Sequence, residues 1–385
     1  MLDISPAFAN LGTETAFSVL ARAKALEAQG KSIINLGIGQ PDFATPEHIV
    51  EAGVKALRDG HHGYTPANGV LPLREAVCRY VAKYHGADIT PDRVLVVPGG
   101  KVTMYFAITL FGRPGVEIMF PNPGFPIYES TIRFSGATAV GYPLAEAHAH
   151  APTADAILSR ITPKTRLIIV NSPGNPTGGV MAADEVDKLA KGLEAHPNVA
   201  IMSDEIYSRL VYEGDHRSFM RFPALADRLI LLDGWSKSYA MTGWRLGFGV
   251  WPASLIEMAE RLAVNTHSCV NAAAQQAAIA ALDGPQDAVG AMAEQFDRRR
   301  RLVVDGLNKL PGWRCATPRG AFYAFPNIEG TGKTAEALQA ELLDVAGVAT
   351  IAGTSFGTAG AGHLRISYAA SESALNEAIE RISKL

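Results

Sequence analysis

The chain has 385 residues, 48% of them apolar, with 35 basic and 38 acidic side chains and a net charge of -3. That length allows a substantial core, expected to be split over two domains. The balanced charge, without a long run of either sign, argues against a surface for nucleic acid or anionic membrane. No uninterrupted apolar stretch of about 18 residues is present, and the opening Met1-Leu2-Asp3-Ile4-Ser5-Pro6 lacks a basic-then-apolar leader pattern. Cys78, Cys269 and Cys315 are odd in number and far apart, which fits a reducing, cytoplasmic setting better than a disulfide framework.

In chain order, Thr45-Pro46-Glu47 caps a helix that stops at Gly60. Short apolar runs at 94–97, 116–120, 167–170, 199–202, 229–232 and 246–250 read as strands covered on both faces. Helical patterns at 102–110, 183–193 and 271–282 lie between or after them. This alternation predicts an α/β fold with a mainly parallel central sheet. After residue 290 a charged helix at 294–310, with Arg298-Arg299-Arg300-Arg301 expected on its surface, leads into a smaller α+β region. The expected large domain spans 46–289, and the small domain combines 1–45 with 290–385.

Five segments carry candidate chemistry, most of them at expected strand ends, where open α/β sheets bind ligands. Pro98-Gly99-Gly100-Lys101 joins a strand to a helix and can offer amides to an anion. Asn171-Ser172-Pro173-Gly174-Asn175-Pro176-Thr177-Gly178 is a turn able to aim an asparagine amide into a cleft. Asp204 and Tyr207 follow the run at 199–202, where Asp204 can pair with a protonated ring nitrogen or simply cap a helix. Ser236-Lys237 follows the run at 229–232, eight residues before Arg245. It has the layout of an amine nucleophile beside groups for a phosphate. Arg365, inside the strand-like His363-Leu364-Arg365-Ile366-Ser367, needs an anionic partner if buried.

In combination, Asn175-Pro176-Thr177-Gly178, Asp204-x-x-Tyr207, Ser236-Lys237 and Arg365-x-Ser367 resemble the class I aminotransferases, fold-type I enzymes dependent on pyridoxal 5'-phosphate. The resemblance runs from Gly39-Gln40-Pro41-Asp42-Phe43 through Tyr64-Thr65-Pro66 to Arg365 and is greatest toward the bacterial branch that holds aspartate aminotransferases. It implies that Lys237 forms the Schiff base and moves the proton, and that Asp204 pairs with the pyridinium nitrogen. Asn175 and Tyr207 would hydrogen-bond the ring hydroxyl oxygen. Gly100, the Lys101 amide, Ser236 and Arg245 would hold the phosphate, joined by Tyr64 from the neighbouring subunit of a homodimer. Arg365 would clamp the substrate α-carboxylate, assisted by Gly39, while Asn175 also borders the substrate. Phe125 stands where the family usually stacks tyrosine or tryptophan on the ring.

The implied reaction is a ping-pong amino transfer between an L-amino acid and a 2-oxo acid such as 2-oxoglutarate. Lys101, with Ser18 on the same side, favours aspartate and glutamate by offering a cation to a distal carboxylate; aromatic or neutral donors are the alternative. A carbon–sulfur β-lyase would use the same lysine, aspartate and arginines. Gly330-Thr331-Gly332-Lys333-Thr334 suggests a nucleotide loop, but Asn327 stands where that loop needs glycine. The ten histidines show no His-Glu-x-x-His pattern, so no metal is expected.

Overall fold

The computed structural model describes residues 2–385 and contains, among them, twelve strands. In chain order they are β1 (Ile34–Asn35), β2 (Val94–Val97), β3 (Glu117–Asn122), β4 (Thr138–Pro143), β5 (Thr165–Asn171) and β6 (Ala200–Asp204). Then come β7 (Leu229–Gly234), β8 (Gly247–Val250), β9 (Tyr323–Ala324), β10 (Val348–Ala349), β11 (Ile351–Ala352) and β12 (Leu364–Ser367). Seven of them form one sheet in the order β2-β8-β7-β6-β5-β3-β4. The neighbours from β7 to β4 pair in parallel, and β8 runs antiparallel to both β2 and β7. The expected mainly parallel α/β sheet is therefore present.

Successive side chains of these strands enter opposite cores, as the two-residue period requires. Leu95, Val97, Ile118, Phe120, Leu167 and Ile169 face one helical layer. Val94 and Val96, with Met119, Ile168 and Val170, face the other. The helix Ala183–Leu193 shows why such segments fold locally. Its buried Val186, Leu189, Ala190 and Leu193 recur at helical spacing, with Asp184 and Glu185 in the first turn and Lys191 in the last.

A smaller unit contains the three-stranded sheet β11-β12-β9 and a core built on Phe296, Phe322, Leu364, Ile366 and Leu375. Tyr207 and Leu210, which follow β6 of the large sheet, are part of that core and fasten the two units together. The β1–β10 pair joins the N-terminal segment to the C-terminal region.

The helix expected at 294–310 spans Asp287–Leu307, and its arginine run is only half a surface. Arg299 and Arg300 are buried: Arg299 pairs with Asp42 at 2.7 Å, and Arg300 with Glu213 at 2.7 Å and Asp297 at 2.6 Å. Four consecutive helical residues point around the whole cylinder, so two of them must face the core. Around Gly330–Thr334, Thr334 accepts a hydrogen bond from the Ala337 amide and caps the helix Ala335–Glu341. No helix among the described residues is long and apolar enough to cross a membrane.

Candidate active site

The functional side chains converge because β5, β6 and β7 run in parallel and end together. Asn171 lies opposite Asp204, and Asp204 opposite Leu232, so each strand delivers its last residues to one cleft. That cleft is a cavity of about 530 Å³ lined by Gly39, Gly100, Lys101, Phe125, Asn175, Asp204, Tyr207, Ser236, Lys237, Arg245 and Arg365. Every expected site residue except Tyr64 and Ser18 borders it. Tyr64 is 94% exposed and lies outside the lining of this chain's own cavity. Ser18 is also outside it, with its hydroxyl turned back to donate to the Thr15 carbonyl at 2.8 Å.

Lys237 follows β7 and is partly buried. Its Nζ donates to the Gly39 carbonyl at 2.5 Å. Burial, and secondarily the charge of Arg365, push its amine down to about 8 from the ordinary lysine range. The free, nucleophilic amine is therefore more populated near neutral pH than in an ordinary lysine.

Asp204 is buried, and desolvation lifts its carboxyl to about 6. Two donors oppose that rise: the Tyr128 hydroxyl at 2.5 Å and the Ile206 amide at 3.3 Å. No cation on the chain pairs with Asp204 among the described residues. Asn171 accepts from the Asn175 amide at 2.9 Å and donates to the Asp204 carbonyl at 3.1 Å, holding the turn against the strand end.

At the opposite wall, Gly99 adopts φ +95°, a left-handed conformation open to glycine, and a Cβ there would strike the Arg245 guanidinium. Arg245 is itself left-handed at φ 56° and donates to the Thr242 carbonyl at 2.8 Å. The helix Lys101–Phe111 begins beside it, with Gly100 at its N-cap, and Ser236 is buried nearby. Arg245 has no carboxylate partner among the described residues.

Arg365, on β12, is buried between the rings of Tyr323 and Phe356, at 4.8 and 4.7 Å from their centroids. It donates to the Asn175 side-chain oxygen at 3.0 Å and to the Gly37 carbonyl, while its buried Nε is left without an acceptor. It too has no acidic partner among the described residues. Desolvation holds its pKa below the usual guanidinium value, as expected for a buried cation awaiting an anion.

Two tyrosines escaped the sequence reading. Tyr128, three residues beyond Phe125 on the helix Pro126–Phe134, meets Asp204. Tyr323, on β9, places its hydroxyl 2.8 Å from that of Tyr207. The spacing of Tyr128 from Phe125 was an available signal; nothing local marks Tyr323, which arrives from the far end of the chain.

Behind Asp204 lies a second buried network. His85 reaches Glu205 at 2.8 Å and Asp233 at 3.0 Å, and His216 reaches the same Glu205 oxygen at 2.7 Å. The other Glu205 oxygen accepts from Ser203 and Ser218. Burial alone would depress His85, but hydrogen bonds from its ring to Asp233 and Glu205 overcome this and raise it to about 9. The imidazolium thus ties the ends of β6 and β7 together.

Residues 31–382 match the family described as aminotransferase class I and II. An aspartate aminotransferase of Geobacillus stearothermophilus is 36% identical over 390 residues, covering 100% of this chain and 98% of the relative. The aspartate aminotransferase from Thermus thermophilus, solved with maleate, superposes with a TM-score of 0.95 at 32% identity over 100% of both chains. An aromatic aminotransferase from Pyrococcus horikoshii superposes at 0.89 with 36% identity, covering 94% of this chain and 97% of that one.

Proposed function

Because the chain belongs to the class I and II aminotransferases, we propose that its cavity exchanges an amino group between an L-amino acid and a 2-oxo acid, alternating substrates in one site. The family uses pyridoxal 5'-phosphate, and the residues present fit it. A buried carboxylate without a cation, Asp204, suits a protonated ring nitrogen. A guanidinium without a carboxylate partner among the described residues, Arg245, beside Gly99, Gly100 and Ser236 suits a phosphate. The depressed amine of Lys237 borders the same cavity. Arg365, the second cation without a carboxylate, suits the substrate α-carboxylate, and this unmatched buried charge carries the reading.

When bound, the cofactor supplies an electron-poor ring that accepts the electron pair of the breaking substrate Cα–H bond. Lys237 would be the residue that holds the cofactor covalently, and its Nζ would serve as the base that takes and returns the migrating proton. Asp204 would keep the cofactor's ring nitrogen protonated, with the Tyr128 hydrogen bond favouring the ionised form of Asp204. Tyr207 and Asn175 would hold the cofactor by hydrogen bonds, Phe125 would supply an apolar wall to it, and Gly39 would assist Arg365 in orienting the substrate.

For the amino donor, the relatives' names support aspartate, and Lys101 at the cavity wall suits aspartate and glutamate alike, with 2-oxoglutarate as the acceptor on this reading. Aromatic or neutral donors are supported by the apolar walls Phe17, Ile38, Phe125, Ile351 and Phe356. A homodimer is supported by exposed Tyr64 and by exposed Leu2, Ile4, Leu11 and Phe17 on the N-terminal arm; Tyr64 would then complete the partner's phosphate site. The division at 46–289 against 1–45 plus 290–385 would let the Arg365-bearing unit close over bound carboxylate. Free Cys78, Cys269 and Cys315 accord with a cytoplasmic enzyme. The test is an absorbance spectrum of purified protein before and after an amino acid alone. Conversion of the cofactor band to that of its amine form is expected; release of pyruvate and ammonia from cysteine without any keto acid would favour the β-lyase instead.

A further inference from the structure

The cavity's charged lining consists of the cations Lys101, Lys237, Arg245 and Arg365 and the anions Glu14 and Asp204. On the aminotransferase reading, on which this inference rests, every one of these has a task except Glu14. Glu14 precedes the helix Thr15–Ala28 at its N-cap position, where a side-chain oxygen normally accepts from the helix's first amides. It makes no such bond. Its carboxylate instead crosses the cavity mouth and ion-pairs with Lys101. Lys101 has no other ionic partner among the described residues, and its ammonium sits 5.3 Å from the centroid of the Phe125 ring. The cation available for a distal carboxylate is therefore already neutralised by the protein.

An enzyme that alternates two amino acids in one cavity faces a conflict at such a cation. A fixed lysine suits glutamate, but it stands unpaired and desolvated when an uncharged side chain fills the same space. We propose that Glu14 is a specificity-determining residue that resolves this conflict as an exchangeable counter-ion. It stays on Lys101 when the substrate side chain is uncharged, aliphatic or aromatic, and yields when the substrate brings a second carboxylate. The exposure of the pair makes the exchange easy: the Lys101 side chain is 46% exposed and that of Glu14 17%. A pair of this kind contributes only about fivefold to an equilibrium, which a well-placed substrate carboxylate overcomes. The apolar walls Phe17, Ile38, Ile351 and Phe356 give an uncharged side chain its contacts. Glu14 sits on the N-terminal arm and Lys101 on the large sheet's helix, so the exchange needs movement of one side chain only.

The experiment compares wild type, Glu14→Gln and the double variant Glu14→Gln with Lys101→Met, all as holoenzymes. Half-reaction kcat/KM is read from the cofactor absorbance with glutamate, aspartate, alanine, methionine and phenylalanine. Calorimetry of maleate and butyrate, on protein with and without cofactor, gives a readout independent of turnover. For Glu14→Gln, kcat/KM should rise about fivefold for the two acidic donors and fall by a similar factor for the uncharged ones. Maleate affinity should rise by the same factor and butyrate affinity fall by it. The double variant should regain the uncharged donors and lose the acidic ones. An equal change for all donors, as a misplaced arm would give, overturns the proposal, and so does no change. A wild type that exchanges its amino group with none of the donors overturns the aminotransferase reading itself, and this inference with it.

Discussion

The Tyr128 hydroxyl donates to the Asp204 carboxylate at 2.5 Å in the buried wall of the cavity, where desolvation and the charges of Asp233 and Glu205 act on Asp204. All three of these influences raise its pKa, and Tyr128 is the first-ranked force lowering it. Removing the hydroxyl lets the carboxyl rise further above about 6, so Asp204 protonates earlier as pH falls. For Tyr128→Phe, the acidic limb of the pH–rate profile should shift upward, with activity at pH 8 reduced no more than about tenfold. A limb that stays in place would mean that Asp204 does not control it.

Lys237 predicts the pH dependence of cofactor uptake. Its amine is held near 8, so stripped protein mixed with pyridoxal phosphate should bind it faster as pH rises, with an inflection close to that value. An ordinary lysine would show no inflection until well above pH 9. Lys237→Ala should lose the covalent cofactor band and at least about a thousandfold in kcat. Borohydride reduction followed by peptide mapping checks the attachment directly.

Arg365→Lys keeps the charge but loses the planar fork that grips a carboxylate through two parallel bonds. An increase in KM for both the amino acid and the 2-oxo acid, of about 100-fold, is expected in steady-state kinetics. A change confined to one substrate would deny Arg365 its role as the shared clamp.

His85 predicts a pH-dependent stability term. Its folded pKa of about 9 exceeds its ordinary value, so the stabilisation is fully present below about 6.5 and is lost as pH rises through 9. His85→Gln should therefore lower the melting temperature most at pH 6 and progressively less toward pH 9.5. Thermal scans of both proteins across that range decide it; a constant difference would mean that the ring is neutral in the fold.

The sheet was legible because β2, β5, β6 and β7 are buried on both faces and leave unbroken apolar runs, as at Val94–Val97. The edge strand β4, with Gly141 and Pro143 and one solvated side, has no such run and went unread. Lys237, Asp204 and Asn175 were legible because each sits in a local motif at a strand end. Tyr323 and the His85–Asp233 contact join residues 116 and 148 positions from their partners, Tyr207 and Asp233, and pairings of that range leave no periodic trace. Glu14 was missed for a related reason: an acid before a helix reads as a cap, and only the folded arm shows it turned away to Lys101.

Asp204, Arg245 and Arg365 leave the folded chain with charges that its own residues do not balance. Such a protein is an electrostatically unfinished object until small molecules complete it. Anything that binds only the folded form deepens its stability by mass action, so cofactor and carboxylate each act as a folding ligand. Limited proteolysis of the purified protein should therefore be slower with cofactor and carboxylate bound than without them.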